Sequence, residues 1–234
     1  MIEAYITNLG KYNEGELCGE YLKLPATKED VQALLSRIGV DGVLYEEFFI
    51  TDYKTDITGL YDCFGEYESI DELNYLAALL SDMDKWELET FEAAVELGDN
   101  SGSVEDLINL AQNLDCYDFY RGVHDNDDLG RYLIDELCCE EIPERLEEFF
   151  DYEAYGEAFS INEGGEFTEN GYVLRGYGRF TEHYGGRDDL PDEYKIFAYP
   201  DPPDKMPIKQ QLEMYSRMAP AAVSDRIAPE RVER

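Results

Sequence analysis

The stretch most able to do chemistry runs from Ile134 to Glu153. It holds Asp135, Glu136, Glu140, Glu141, Glu144, Glu147, Glu148, Asp151 and Glu153 against a single base, Arg145. Carboxylates at this density can ligate a metal, work as acid–base pairs, or present negative charge to a basic partner. Wound as a helix opened by Pro143 at its first position, the segment puts Glu144, Glu147, Glu148 and Asp151 on one face. Ile142, Leu146, Phe149 and Phe150 fall on the other, so one side is expected to pack and the other to form a carboxylate row. Four charges over seven residues at the helical rise give one charge per ~2.6 Å, close to the ~1.7 Å per charge of duplex DNA. Like charges at this spacing cost ~0.2–0.5 kcal/mol per contact, and ordinary solvated faces avoid that by mixing signs. A sequence that keeps the penalty is expected to use the charge.

Other chemistries find less support. Asp125, Asp127, Gly130 and Glu136 occupy positions 1, 3, 6 and 12 of a calcium loop, with Asp128 beside them, but Leu129 stands where position 5 needs an oxygen. The expectation there is a solvated helix start. His124 and His183 are the only histidines, and there is no HExxH, no Cys/His ligand cluster and no GxSxG elbow. No GxxxxGK[ST] occurs, and Gly176-Tyr177-Gly178 lacks the third glycine and a following helix. A nuclease built from carboxylates would have to draw its substrate onto an acidic body with few Lys or Arg helpers. No enzyme activity, metal or cofactor is expected.

The whole chain extends the same theme. Its 234 residues carry 54 acids and 19 bases, net −35, together with 19 Tyr, 11 Phe and one Trp. Acidic tails that stay unfolded are poor in aromatics, so this composition implies a folded core under the charge. From Asp201 to Arg234 six acids meet six bases, so residues 1–200 hold 48 acids, 13 bases and the entire excess. Such a body repels nucleic acid and anionic lipid and attracts basic surfaces. Its charge equals that on roughly 60 Å of duplex. Direct nucleic-acid binding is therefore excluded as an expectation. No stretch approaches a membrane span, and MIEAYITNLG lacks the basic and apolar regions of a signal peptide. Cys18, Cys63, Cys116, Cys138 and Cys139 form no CxxC pair, which suits packed thiols in a reducing cytoplasm.

The elements that must carry this charge are legible as an α+β chain of three small units. Residues 1–62 read as ββαβ: strands at Ala4–Ile6 and Tyr21–Leu24 around a turn-rich Gly10–Gly15, a helix capped by Thr27 and Asp30 and ended by Gly39, and a strand over Tyr45–Tyr53. Residues 63–114 read as helical, with a capping box at Ser69–Glu72, a stripe of Leu73, Leu76, Ala77 and Leu80, a helix through Trp86, Phe91, Ala94 and Val95 ending at Gly98, and another after Ser103. Residues 115–199 read as mixed. A strand spans Tyr117–Val123, helices cover Leu129–Leu137 and Pro143–Phe150, and Asn170-Gly171 turns a hairpin between Glu166–Thr168 and Tyr172–Leu174. Residues 200–234 form a linker and a neutral tail with one weakly amphipathic stretch, Ile208–Met218.

Several blocks resemble one family in order. Tyr5-Ile6-Thr7-Asn8-Leu9-Gly10-Lys11-Tyr12-Asn13-Glu14-Gly15-Glu16-Leu17, with Gly19 after it, is similar to the N-terminus of the ArdA antirestriction proteins. Ile50–Tyr53 resembles the third strand of that family, and Ser69–Asn74 the start of its helical middle. Tyr132–Glu136, Ile142–Leu146 and Phe150–Gly156 resemble its antirestriction motif region. The resemblance covers roughly residues 3–175 and implies an elongated cytoplasmic homodimer, encoded by mobile elements, whose carboxylates imitate DNA phosphates and occupy the DNA groove of type I restriction-modification enzymes. It also implies a dimer contact near residues 132–156. The acidic row 135–153 fits the mimic role, with Asp125, Asp127 and Asp128 adjoining it. The alternative is a DNA mimic aimed at another basic protein, such as a CRISPR effector or nucleoid regulator. Phe180–Tyr199 and the tail extend beyond the resemblance.

Overall fold

The computed structural model describes residues 2–201, so Ile208–Met218 lies outside the described residues. The first segment is a three-stranded antiparallel sheet, β1 (Ile2–Asn8), β2 (Gly19–Leu24) and β3 (Phe48–Thr55), in the order β2-β1-β3. Alternation decides which face of β1 is covered: Ile2, Ala4 and Ile6 are buried, Glu3 and Tyr5 only partly. α2 (Lys28–Ile38) covers the sheet with Val31, Leu34, Leu35 and Ile38. Its expected capping box is complete, and Gly39 ends it at φ 80°, a left-handed conformation in which a side chain would be strained.

Two boundaries differ from the expectation. The turn-rich segment after β1 contains a one-turn helix, α1 (Leu9–Asn13), capped by Asn8, whose Oδ1 accepts from the Lys11 amide at 3.0 Å. Asn8 is fully buried, and its Nδ2 donates to the Ile38 carbonyl at the end of α2, 3.2 Å away. A buried amide that satisfies two backbone ends at once fixes the local chain path. β3 begins at Phe48, because Asp41 Oδ1 accepts from the amides of Val43, Leu44 and Tyr45 and holds that stretch in a turn.

The middle consists of α3 (Ile70–Asp82), α4 (Lys85–Leu97) and α5 (Val104–Ala111), bearing the expected apolar stripes. α4 carries a full box between Asp84 and Glu87. At α3 only half of the expected box forms: Ser69 accepts from the Glu72 amide, but the Glu72 carboxylate turns away to Tyr184 and Arg187. One continuous apolar cluster runs from the first sheet through these helices to Tyr117 and Val173.

The last segment pairs β4 (Tyr117–Arg121), β6 (Gly171–Arg175) and β5 (Glu166–Phe167) in the antiparallel order β4-β6-β5. The expected hairpin forms, but its turn is Glu169-Asn170, one residue earlier than read, because Gly171 already pairs in β6 and its carbonyl accepts from the Thr168 amide at 2.7 Å. α6 (Asn126–Arg131) runs into a wider π turn at Tyr132–Glu136, and α7 (Tyr152–Glu163) crosses it. A separate apolar cluster of Val123, Leu129, Leu133, Tyr172 and Leu174 supports them. The crossing is backbone on backbone. A Cβ on Gly130 would strike the Tyr152 carbonyl, and one on Gly156 would strike the Asn126 carbonyl and the Gly130 amide. Gly130 thus serves a helix contact and not the turn of a calcium loop.

Neither carbonyl can swing away as a flexible side chain would. Gly130→Ala is therefore expected to destabilise the protein by ~1–3 kcal/mol, the usual cost of overpacking, despite alanine's better helix propensity. Gly102→Ala, where the nearest atom is 3.5 Å from the added Cβ, is expected to be near neutral. Thermal melts of the two variants check the contrast.

Candidate functional site

The acidic stretch is the connection between the crossed helices. α6 is started by Asp125, whose carboxylate accepts from the Asp128 amide at 2.9 Å, while Asp128 accepts from the His124 amide at 3.2 Å. Asp127 holds Arg131 through two hydrogen bonds, 2.7 and 3.3 Å, and the same guanidinium lies 4.4 Å from the centre of the Tyr152 ring. These three acids do structural work in the first turn of a helix, where the helix dipole favours them. The solvated helix start read from the sequence fits this arrangement.

Beyond the π turn the chain leaves the body. From Asp135 to Asp151 no residue is buried. Cys138 takes a left-handed backbone at φ 52°, and both Cys138 and Cys139 are exposed, which corrects the expectation that they pack. The expected amphipathic α-helix also fails to form. Glu144–Phe149 is a 3-10 run instead, with Leu146 47% and Phe149 74% exposed among the described residues, while Phe150 beyond its end packs its ring against Tyr152 and Tyr155. The physical reasons were present in the sequence: four like-charge contacts oppose the α-helix, and short helices need a packed face to persist.

The change of period rearranges the row. In a 3-10 helix residues three apart eclipse. Glu144 and Glu147 therefore share an edge, Glu148 lines up with Arg145, and Pro143, Leu146 and Phe149 form an apolar edge. Asp151 leaves the row to cap α7, accepting from the Ala154 amide at 3.0 Å. Asp135, Glu140, Glu141 and Glu147 come together around an open depression of about 540 Å³, lined also by Ile134, Ile142, Cys138 and Tyr152. Glu136 lines a smaller one of about 230 Å³ with Asp128 and Asp135. Asp125, Asp135, Glu136, Glu140, Glu141, Glu144, Glu147, Glu148, Asp151 and Glu153 are all exposed, while Asp127 and Asp128 are half-buried.

Nearby cations are engaged elsewhere. Arg121 pairs with Glu89 and stacks 3.4 Å from the centre of the Trp86 ring, and Arg175 meets Asp99 at 3.2 Å. Among the described residues no group of three or more His, Cys, Asp or Glu side chains is placed to hold a metal ion, and no helix is long and apolar enough to cross a membrane. What the arrangement can do is present fixed, open negative charge to a convex or grooved positive surface.

A second acidic surface was missed by the sequence reading. Glu182, Asp188, Asp189, Asp192 and Glu193 are exposed along residues 177–199, a segment fastened by buried Tyr184, Leu190 and Ile196. The six-residue spacing of those anchors was the available signal, but it matches neither helix nor strand period. On α4, burial raises the carboxyl pKa of both Glu92 and Glu96, and the charge of Glu169 raises them further.

The described residues thus form a mixed α+β body with an open anionic surface. A family model for antirestriction protein (ArdA) matches residues 4–174, well over half of the chain, and the chain belongs to that family. No curated protein matches it. The match ends at residue 174, one residue before the end of β6, so the fastened segment after it lies outside the matched region.

Glu96 gives a pH test of the surface charge. Its carboxyl pKa is raised on folding, so it favours the fold when protonated, below its ordinary value of 4.5, and that contribution is lost as the pH rises through the folded-state value. Glu96→Gln is expected to melt above wild type near neutral pH, with the gap closing below pH ~4, where both forms are uncharged. Melts across that range decide it.

Proposed function

We propose that this protein is an antirestriction DNA mimic that occupies the DNA-binding groove of type I restriction-modification enzymes and blocks their action on incoming DNA. The observation that carries this reading is the run from Asp135 to Asp151, in which eight carboxylates and one base stand on a segment with no buried residue. Phosphate contacts supply most of the affinity of proteins for DNA and little of the sequence information. A protein that offers the charge alone can therefore compete at grooves of many specificities. The action is stoichiometric occupation, without catalysis, in the cytoplasm.

The protein acts as a homodimer in this reading, with three successive units in each chain contributing to one anionic surface. The apolar edge of Pro143, Leu146 and Phe149, with Leu137 43% exposed nearby, supports self-association through the last unit. Large apolar side chains grouped on one side of a short segment are more costly to leave in water than scattered ones. Two copies would double the charge and the length of duplex that it matches.

The direct test is displacement of a labelled duplex from a type I methyltransferase by the purified protein. Stoichiometric displacement is expected, and unchanged DNA binding at saturating protein would refute the reading. Successive replacement of Glu140, Glu141, Glu144 and Glu147 by Gln is expected to weaken displacement stepwise, each by ~0.2–1 kcal/mol, the range of exposed ion pairs. Abolition of activity by a single replacement would point to a catalytic or ligating carboxylate instead.

A further inference from the structure

We propose that residues 177–199 form an intramolecular strap that completes the helical middle and fixes it to the segments on either side, so that the anionic surface is presented as one piece. The role rests on the DNA-mimic reading; the strap itself rests on contacts. The segment leaves β6 beside β4, where the Gly176 amide donates to the Cys116 carbonyl at 2.8 Å. It then meets α5. Asn113 donates to the Thr181 carbonyl at 2.9 Å and accepts from the Thr181 amide at 2.9 Å. Asn109 donates to the Tyr184 carbonyl at 2.7 Å and accepts from the amides of His183 and Tyr184 at 2.8 and 3.0 Å.

Next it crosses α3. The Tyr184 hydroxyl donates to Glu72 at 3.0 Å and Arg187 pairs with the other oxygen of the same carboxylate at 3.0 Å. Asp71 Oδ1 accepts from the amides of Ile196 and Phe197 at 2.8 and 2.6 Å. It ends on the first segment. The Tyr199 hydroxyl donates to the Glu46 carbonyl at 2.8 Å, Gln32 donates to the Tyr199 carbonyl at 2.8 Å, and the Phe197 ring centre lies 5.5 Å from that of Phe48.

The contacts are not decoration on a finished core. Asn109, Asn113 and Glu72 are only 4%, 3% and 8% exposed. Buried polar groups persist only when their hydrogen bonds are made, and here the partners of all three include strap atoms. A chain stopping at the end of the matched region would lose these partners and open that side of α3 and α5, with the apolar surface under Tyr184, Leu190 and Ile196, to water. The strap also brings its own exposed acids across α3 and α5 without adding a separate folded unit.

The test compares full-length Asp71→Ala and Tyr199→Phe, combined, with wild type and with Asp71→Asn, which keeps an acceptor for the two amides. Hydrogen exchange of the Ile196 and Phe197 amides is read beside duplex displacement. The combined variant is expected to exchange these amides at least about tenfold faster while α3 and α5 stay protected, and to need about tenfold more protein for half displacement. Asp71→Asn is expected to stay near wild type in both. Loosened amides with undiminished displacement would overturn the positioning role, as would unchanged exchange. Should α3 itself lose protection, Tyr199→Phe with Gln32→Ala, which frees the end of the strap from the first segment and leaves every contact to α3 intact, decides by displacement alone: about tenfold weaker displacement supports the role and undiminished displacement overturns it. Failure of wild type to displace DNA overturns the function reading and with it this role; normal wild-type displacement that survives release of the strap overturns this role alone.

Discussion

The constraint on which the rest of the structure depends is self-repulsion among carboxylates. A chain of net −35 gains nothing from its excess charge on folding, and each unit of it opposes compaction. The apolar clusters must outweigh that cost. The first does so by running unbroken from the opening sheet through the three middle helices to β4 and β6. The acids are kept outside it, with Glu72 and Glu89 as instructive exceptions. Each of these two has an arginine, Arg187 for Glu72 and Arg121 for Glu89, whereas burial raises the carboxyl pKa of Glu92 and Glu96 on α4. The few cations are thus spent on acids that hold segments together, which leaves the stretch from Asp135 to Asp151 with Arg145 as its one base.

The same repulsion explains the form of the site. A regular α-helix would have stacked Glu144, Glu147, Glu148 and Asp151 within a few ångströms of one another. The chain instead opens into 3-10 turns and loop, which spread the charges around a shallow depression. That open path is possible because its two ends are pinned: α6 and α7 cross where Gly130 and Gly156 let the backbones touch, and Arg131 bridges Asp127 and the Tyr152 ring. A rigid base with a loosely wound, highly charged rim places charge without burying it, since water can still solvate every carboxylate from Asp135 to Asp151.

Much of this was legible in the sequence because local physics dictated it. The cap residues Thr27, Asp84 and Ser103, the stop at Gly39 and Gly98, and the hairpin around Asn170 each act within four residues; the caps and stops appear where they were read or, at Asp84, follow the same rule, and the turn falls one residue earlier. The failures were non-local. Nothing near Glu72 in sequence announces Tyr184 and Arg187, which take its carboxylate out of the capping box. Nothing near Pro143 says that Leu146 and Phe149 will stand exposed among the described residues. Anchors at Tyr184, Leu190 and Ile196 follow no helical or strand period, because an irregular strap is shaped by the helices that it crosses. The carboxylates from Asp135 to Asp151 are exposed, but not as the α-helix face that the spacing suggested.

The central claim is that charge pattern alone carries recognition, and the dependence of the complex on salt tests it most directly. The dissociation constant for a type I methyltransferase should be measured over a range of salt concentration, beside that of the same enzyme for duplex DNA. Binding of a polyanion to a basic groove weakens linearly on a log–log scale, with a slope set by the number of charges engaged. The account predicts a steep slope for this protein, approaching that of the duplex. A tight complex whose affinity barely changes with salt would contradict it, because recognition would then rest on apolar or specific polar contacts and not on an imitation of DNA.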